Sequence, residues 1–113
     1  MKDFLLVYRS DYTTIPSRTA EEMQAVTKRW MDWIGSIAAQ NKLTDRGNRL
    51  TDSGKVVQSN KVVTNGSYTE IKESIGGYSL VKAKSYDDAV ELAKGCPILS
   101  FGGNVEVREV SPL

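Results

Sequence analysis

The strongest constraint on the fold is a run of five consecutive apolar or aromatic residues near the start of the chain, Phe4-Leu5-Leu6-Val7-Tyr8. A strand with one face in water alternates apolar and polar side chains, whereas a strand covered on both faces is apolar throughout. The run therefore predicts a central strand that is covered on both sides. Because it is too short for the core of a signal peptide or for a membrane span, we expect neither.

A long amphipathic helix is predicted to follow this strand. Thr19 as the N-cap, with Glu22 three residues later, forms the pattern of a capping box, in which each side chain accepts a hydrogen bond from the other residue's backbone N–H. Apolar residues then recur at steps of three and four, which places them on one helix face that ends near Gln40. These residues are Met23, Val26, Trp30, Trp33, Ile34 and Ile37.

The rest of the chain alternates turn residues with short elements. Residues 56–57 and 62–63 are valine pairs on either side of a polar loop, which predicts a hairpin. Ser85 is a suitable N-cap for a second helix over residues 86–94. Strands are predicted over residues 78–83 and 104–110, and in the last of these Val105 and Val107 alternate with Glu106 and Arg108.

The predicted order is β-α-β-β-β-α-β in one domain, residues 1–113. It indicates an α+β fold of the ferredoxin-like type, a split β-α-β with an antiparallel sheet and an extra short strand. Two helices cover only one face of such a sheet. The apolar first strand therefore favours a homodimer in which the second faces of two sheets meet and enclose a cleft for a small ligand.

Composition excludes several kinds of site and partner. The chain has no histidine, so a Ser-His-Asp triad, a Cys-His pair and a His-ligated zinc site are excluded. Its formal net charge of +1, with scattered basic residues, argues against direct nucleic-acid binding. The single Cys96 has no internal disulfide partner, so we expect a cytoplasmic protein and an inert thiol. With no dinucleotide fingerprint or P-loop, we expect no cofactor and no metal.

Several phrases together resemble the YCII-related family, specifically its DGPF-domain branch, over nearly the whole chain. They are residues 30–33 (WMDW), 42–50 (KLTDRGNRL), 65–73 (NGSYTEIKE), 75–78 (IGGY), 96–97 (CP) and 102–108 (GGNVEVR). The resemblance implies a ferredoxin-like fold that dimerises through its sheet as a dimeric α+β barrel. It also implies a poorly defined activity in a dimer cleft and, for some members, an association with sigma factors.

The chain departs from this family in two ways. Where the branch has Asp-Gly-Pro-Phe, residues 65–68 are Asn-Gly-Ser-Tyr, so the turn and the aromatic residue remain while the carboxylate and the proline do not. Some members of the wider family have a proposed His–Asp catalytic pair. That pair does not transfer to a chain without histidine.

The first candidate site surrounds the segment that leads into the predicted strand at residue 78. Tyr68, Glu70 and Lys72 lie two residues apart, so an extended backbone projects all three from one face, near Glu73 and Tyr78. A carboxylate, an ammonium group and phenols suit a polar ligand or a proton transfer. The alternatives are a surface ion pair with a turn anchored by tyrosines, or a helical turn that separates the three side chains.

The second candidate is Arg108, which shares a strand face with Glu106. If Val105 and Val107 face the helices, this pair faces the dimer cleft, together with Tyr8 and Tyr78. Arginine suits bidentate binding of a carboxylate or phosphate. The alternative is an ion pair, either between subunits or on the same face, which explains the residue at least as well.

These residues predict a small cytoplasmic homodimer whose sheet-lined cleft binds a small polar or anionic molecule, with or without catalysis. Glu70 is the candidate general base or ligand anchor, Arg108 the anion-binding residue and Tyr78 a hydrogen-bond donor. The alternative is a non-catalytic interaction or regulatory module, such as one associated with a sigma factor. We expect Trp30 and Trp33 to be core anchors.

Overall fold

The chain has an α+β fold with two helices and an antiparallel sheet. The computed structural model describes residues 1–12, 17–66 and 73–112. The elements are β1 (Lys2–Ser10), α1 (Ala20–Ala39), β2 (Leu43–Asp45), β3 (Lys55–Val57), β4 (Val63–Asn65), β5 (Ser74–Ala83), α2 (Tyr86–Ala93), a 3₁₀ helix (Pro97–Phe101) and β6 (Asn104–Glu109).

The four-stranded sheet has the order β2-β5-β1-β6, and all its neighbouring strands are antiparallel. This arrangement agrees with the predicted split β-α-β fold, with β1 as a central strand. The edge strand β2 was not predicted, because Thr44 and Asp45 are typical turn residues. The predicted hairpin is present, but β3 and β4 form a separate two-stranded sheet that makes few contacts with the larger one.

Both helices begin at the predicted caps. Thr19 Oγ1 accepts a hydrogen bond from the Glu22 N–H at 3.1 Å, and Glu22 Oε1 accepts one from the Thr19 N–H at 3.3 Å, which confirms the capping box. Ser85 Oγ accepts from the Asp88 N–H at 3.3 Å. Neither helix, nor any other within the described ranges, combines the length and apolar character needed to cross a bilayer.

The core lies between both helices and one face of the sheet. Trp33 is fixed within it by a hydrogen bond from its indole N–H to the Leu92 carbonyl at 3.0 Å. Cys96 is also buried there, and burial raises the pKa of its thiol to about 12, so the group stays protonated and unreactive at neutral pH. The buried members of this cluster are Phe4, Leu6, Tyr8, Trp33, Ile37, Val81, Ala83, Ala89, Ala93, Cys96 and Ile98.

The two faces of the sheet differ in what covers them. On β1, Phe4, Leu6 and Tyr8 point to the helices, and Val105 and Val107 of β6 pack against the same core, as predicted. The opposite face, called the open face below, consists of the residues between them. It carries Leu5, Val7 and Arg9 of β1, Tyr78, Leu80 and Lys82 of β5, and Glu106 and Arg108 of β6. Within one chain, the helices cover only one face of β1.

Candidate functional site

Of the residues that the sequence groups into candidate sites, Tyr68, Glu70 and Lys72 lie outside the described residues, and Tyr8 and Tyr78 both belong to the lining of one groove, described below. Tyr78 and Arg108 lie on the open face, which the sequence predicts for the case that Val105 and Val107 face the helices. The placement of Tyr8 with them is wrong: Tyr8 is opposite Val105 in the register with β6, so it faces the helices and is 6% exposed. A ligand bound on the open face therefore does not reach the Tyr8 side chain.

Arg108 is engaged in an ion-pair network on the open face. Glu106 accepts a hydrogen bond from Arg9 Nε at 3.0 Å and another from Arg108 Nη1 at 3.3 Å. These hydrogen bonds, that of Arg9 first, hold the pKa of the Glu106 carboxyl below its usual value. The geometry matches the ion-pair alternative for Arg108. Nearby, the Tyr78 hydroxyl accepts a hydrogen bond from Asn48 Nδ2 at 3.1 Å.

A groove of about 1120 Å³ opens instead on the helix-covered side of the sheet. One wall is the apolar face of α1, which contributes Val26, Trp30 and Ile34 to the lining. The opposite wall is the start of β5 together with residues 46–49, and the end of β1 and the 3₁₀ helix close the groove at one side. We call this space the α1 groove.

Within the wall opposite α1, two glycines allow residues 46–49 to lie close to β5. Gly47 has φ +74°, and a methyl group there would overlap the Tyr78 carbonyl, so only glycine fits this turn. The Asn48 carbonyl then accepts a hydrogen bond from the Tyr78 N–H at 3.2 Å. A Cβ on Gly77 would lie 2.9 Å from that same carbonyl oxygen. This close approach places Arg46 and Arg49 along the α1 groove.

Hydroxyl groups at the base of the α1 groove form a short hydrogen-bond chain. The Tyr8 hydroxyl donates to Ser79 Oγ at 2.6 Å, and Ser79 Oγ donates to the Arg46 carbonyl at 2.6 Å. The Tyr8 ring also packs edge-on against Trp30, with 4.9 Å between the ring centroids. Burial raises the pKa of Tyr8, so its hydroxyl remains a neutral donor to Ser79. Through Ser79, this chain holds the backbone at Arg46 against β5.

The charges that the described residues bring to the α1 groove are mainly positive. Among these residues, the lining includes Arg18, Arg46 and Arg49 and one carboxylate, Asp11. Among the described residues, no carboxylate lies within ion-pair distance of these three guanidinium groups. Arg18 instead lies over the Phe101 ring, 4.5 Å from its centroid. Guanidinium groups without carboxylate partners favour an anion in the groove.

A comparison with known protein families shows the family to which the chain belongs. The model of the YCII-related domain matches residues 1–113, the full length. The chain belongs to the YCII-related family. No curated protein matches its sequence significantly. The resemblance predicted from the phrases above is thus confirmed at the level of the family.

The described part of this YCII-related domain also contains no cluster of three or more carboxylate or thiol side chains suited to a metal ion. Among the described residues, the polar side chains that line the α1 groove carry guanidinium, phenol, hydroxyl and amide groups and the carboxylate of Asp11.

Sequence reasoning missed Arg46, Arg49 and Tyr12 as residues of a groove. The two arginines lie in the phrase KLTDRGNRL, which carries the resemblance to the family, and no spacing of charges in it indicates a groove. One signal was available: consecutive glycines inside a strand, here Gly76 and Gly77, indicate a close approach of another chain segment. Trp30, predicted as a core anchor, has a dual position, because it packs against Tyr8 and also lines the groove.

Proposed function

We propose that this YCII-related protein binds a small organic anion with an apolar body in the α1 groove. One observation carries the proposal: an apolar wall with Trp30 and Ile34 faces Arg46 and Arg49, whose guanidinium groups have no carboxylate partner among the described residues. Arg46 and Arg49 therefore replace Arg108 as the candidate anion-binding residues, since Arg108 is paired with Glu106.

The two walls supply different parts of the binding free energy. A hydrogen bond to a charged group contributes about 1.5–3 kcal/mol, and burial of apolar area contributes roughly 25 cal/mol per Å². The anionic group would lie at Arg46 and Arg49, with the apolar body along α1. The groove volume of about 1120 Å³ slightly exceeds the range of about 300–1,000 Å³ that is typical of ligand sites, so a molecule larger than a simple inorganic anion fits.

The sequence-based predictions for residues 67–72, which lie outside the described ranges, are kept as part of this proposal. Glu70 remains the candidate general base or ligand anchor, with Tyr68 and Lys72 beside it. The DGPF branch is proposed from the phrases that the chain shares with it. The buried, unreactive thiol of Cys96 suits the reducing cytoplasm, which we keep as the proposed location.

The proposal is tested with a pair of fluorescent probes that share an apolar body. Anilinonaphthalene sulfonate carries a negative charge, and phenylnaphthylamine is its sulfonate-free analogue. We expect the wild-type protein to bind the sulfonate more tightly than the neutral probe. Arg49→Gln should weaken sulfonate binding by about tenfold, equivalent to about 1.4 kcal/mol, and leave the neutral probe within about twofold.

Arg108→Gln is the matched control, because it removes a guanidinium group from the open face. It should leave the affinity for both probes unchanged. The proposal is wrong if the sulfonate and the neutral probe bind equally well, or if Arg108→Gln weakens sulfonate binding and Arg49→Gln does not. The second outcome would return the site to the open face.

We also propose that a second copy of the chain covers the open face. Its support is a half-buried leucine pair, Leu5 opposite Leu80, on a face that the helices do not cover. The face carries both signs of charge, with Glu106 between Arg9 and Arg108, so two copies related by a two-fold axis can exchange ion pairs. Analytical ultracentrifugation should show a dimer for the wild type and a folded monomer for Leu80→Glu. A wild-type monomer would contradict the proposal.

A further inference from the structure

Tyr12 is placed at the α1 groove by a contact that only glycine permits. The residue follows the end of β1, and its hydroxyl lies directly over Gly76, where a methyl group would overlap both Oη and Cζ of the ring. Both residues line the α1 groove. An alanine at position 76 would therefore displace the Tyr12 ring from its present position.

The strand pairing explains why Gly76 lies at this point. Tyr8 pairs with Gly77 and Arg9 pairs with Ile75, so the register shifts and Gly76 is the extra residue of a β-bulge. Bulges re-aim side chains and are over-represented beside functional sites. Here the bulge is the place where Tyr12 crosses the start of β5.

Arg49 lies on the other side of the same glycine pair. It forms an isolated antiparallel bridge with Gly77, and the Leu50 N–H donates to the Gly76 carbonyl at 2.8 Å. The guanidinium of Arg49 is close enough to act on the Tyr12 phenol: its charge lowers the pKa, while burial, the larger effect, raises it. Tyr12 is therefore a neutral hydrogen-bond donor at neutral pH, beside a cationic one.

We infer that Tyr12 determines specificity in the α1 groove, by donating its hydroxyl hydrogen to the same ligand oxyanion that Arg49 binds. The inference rests on the proposed function. A phenol and a guanidinium beside one glycine pair suit a group with two or more acceptor oxygens on one centre, such as a carboxylate or sulfonate. A neutral ligand of the same shape leaves both donors without a charged acceptor.

The test uses the same two probes on variants of the pair. Tyr12→Phe keeps the ring and removes the hydroxyl, so it should weaken binding of the anilinonaphthalene sulfonate by about tenfold and leave phenylnaphthylamine unchanged. Gly76→Ala should have at least the same effect on the sulfonate, because it moves the whole ring. Gly54→Ala is the matched glycine control, since among the described residues a Cβ there meets only the Gly66 carbonyl at 3.9 Å, and it should change neither affinity.

The pH dependence provides a second readout that a purely structural role would not produce. With the pKa of Tyr12 raised, its phenol keeps its proton, so sulfonate affinity of the wild type should stay constant from about pH 6 to about pH 9 and fall only above its usual value of about 10. In Tyr12→Phe that alkaline fall should disappear.

The possible results separate this inference from the proposed function. If Arg49→Gln loses sulfonate affinity and Tyr12→Phe does not, the inference about Tyr12 is overturned and the proposed function stands. If the wild type has no preference for the sulfonate, both are overturned. Should Gly76→Ala fail to fold, judged by circular dichroism, Tyr12→Phe decides the question alone.

Discussion

The two halves of α1 carry the same apolar stripe but have different surroundings. In the C-terminal half, Trp33 and Ile37 are 8% and 1% exposed and belong to the core. In the N-terminal half, Met23 remains 55% exposed and Val26 faces the α1 groove, which extends along the helix to Trp30 and Ile34. The comparison teaches that a continuous stripe predicts a helix and its inward face, but not what fills the space beneath that face.

The difference follows from the lengths of the elements. At 1.5 Å per residue, the 20 residues of α1 span about 30 Å, whereas the 8 residues of α2 span about 12 Å. The two helices share the sheet only where α2 lies, and there the core is filled. The N-terminal half of α1 extends beyond that region, and the walls of the groove face it across open space.

We expect the largest effect on the free energy of unfolding when one apolar side chain of the stripe is shortened to alanine in each half of α1. Ile37→Ala removes a buried side chain from the core and should lower the free energy of unfolding by about 2–5 kcal/mol. Val26→Ala removes a half-buried one beside the groove and should cost less than about 1 kcal/mol. Urea denaturation of both variants measures the difference. Equal losses would mean that the N-terminal half is covered in solution, for example by a retained ligand.

A smaller effect of opposite sign is expected at Gly35, which lies in the C-terminal half of α1 between Trp33 and Ile37. A Cβ at this position meets no atom of the described residues within 4 Å, and glycine costs roughly 0.5–1 kcal/mol relative to alanine inside a helix. Gly35→Ala should therefore raise the free energy of unfolding by about that amount, seen as a higher midpoint in thermal melts. A loss of stability would show instead that the halves of α1 depend on flexibility at this glycine.

Local signals in the sequence were sufficient for most of the fold. The capping box at Thr19 and Glu22, the cap at Ser85 and the valine-flanked hairpin are all confirmed, because each depends on residues close in sequence. The edge strand β2 was missed because its pairing with β5 is a tertiary interaction that overrides the turn preference of Thr44 and Asp45.

The orientation of Tyr8 shows a second limit. Residues 4–8 are apolar at every position, so alternation does not mark which of them face the helices. Only the register with β6 and β5, which is a long-range property, decides that Tyr8 faces inward and Val7 outward. The α1 groove could not be predicted for the same reason, since it joins α1 to residues 46–49, parts of the chain that no local pattern connects.

The β3–β4 hairpin has a consequence for how the length of this chain can change. The Gly66 N–H donates to the Gly54 carbonyl at 2.8 Å, so the chain enters and leaves the hairpin at neighbouring points. Residues 55–65 form a self-contained hairpin that makes few contacts with the larger sheet. We expect an insertion, a deletion or a grafted reporter segment in this hairpin to leave the core and the α1 groove in place. The hairpin is therefore the part of this protein where the chain length can change with the least effect on the fold.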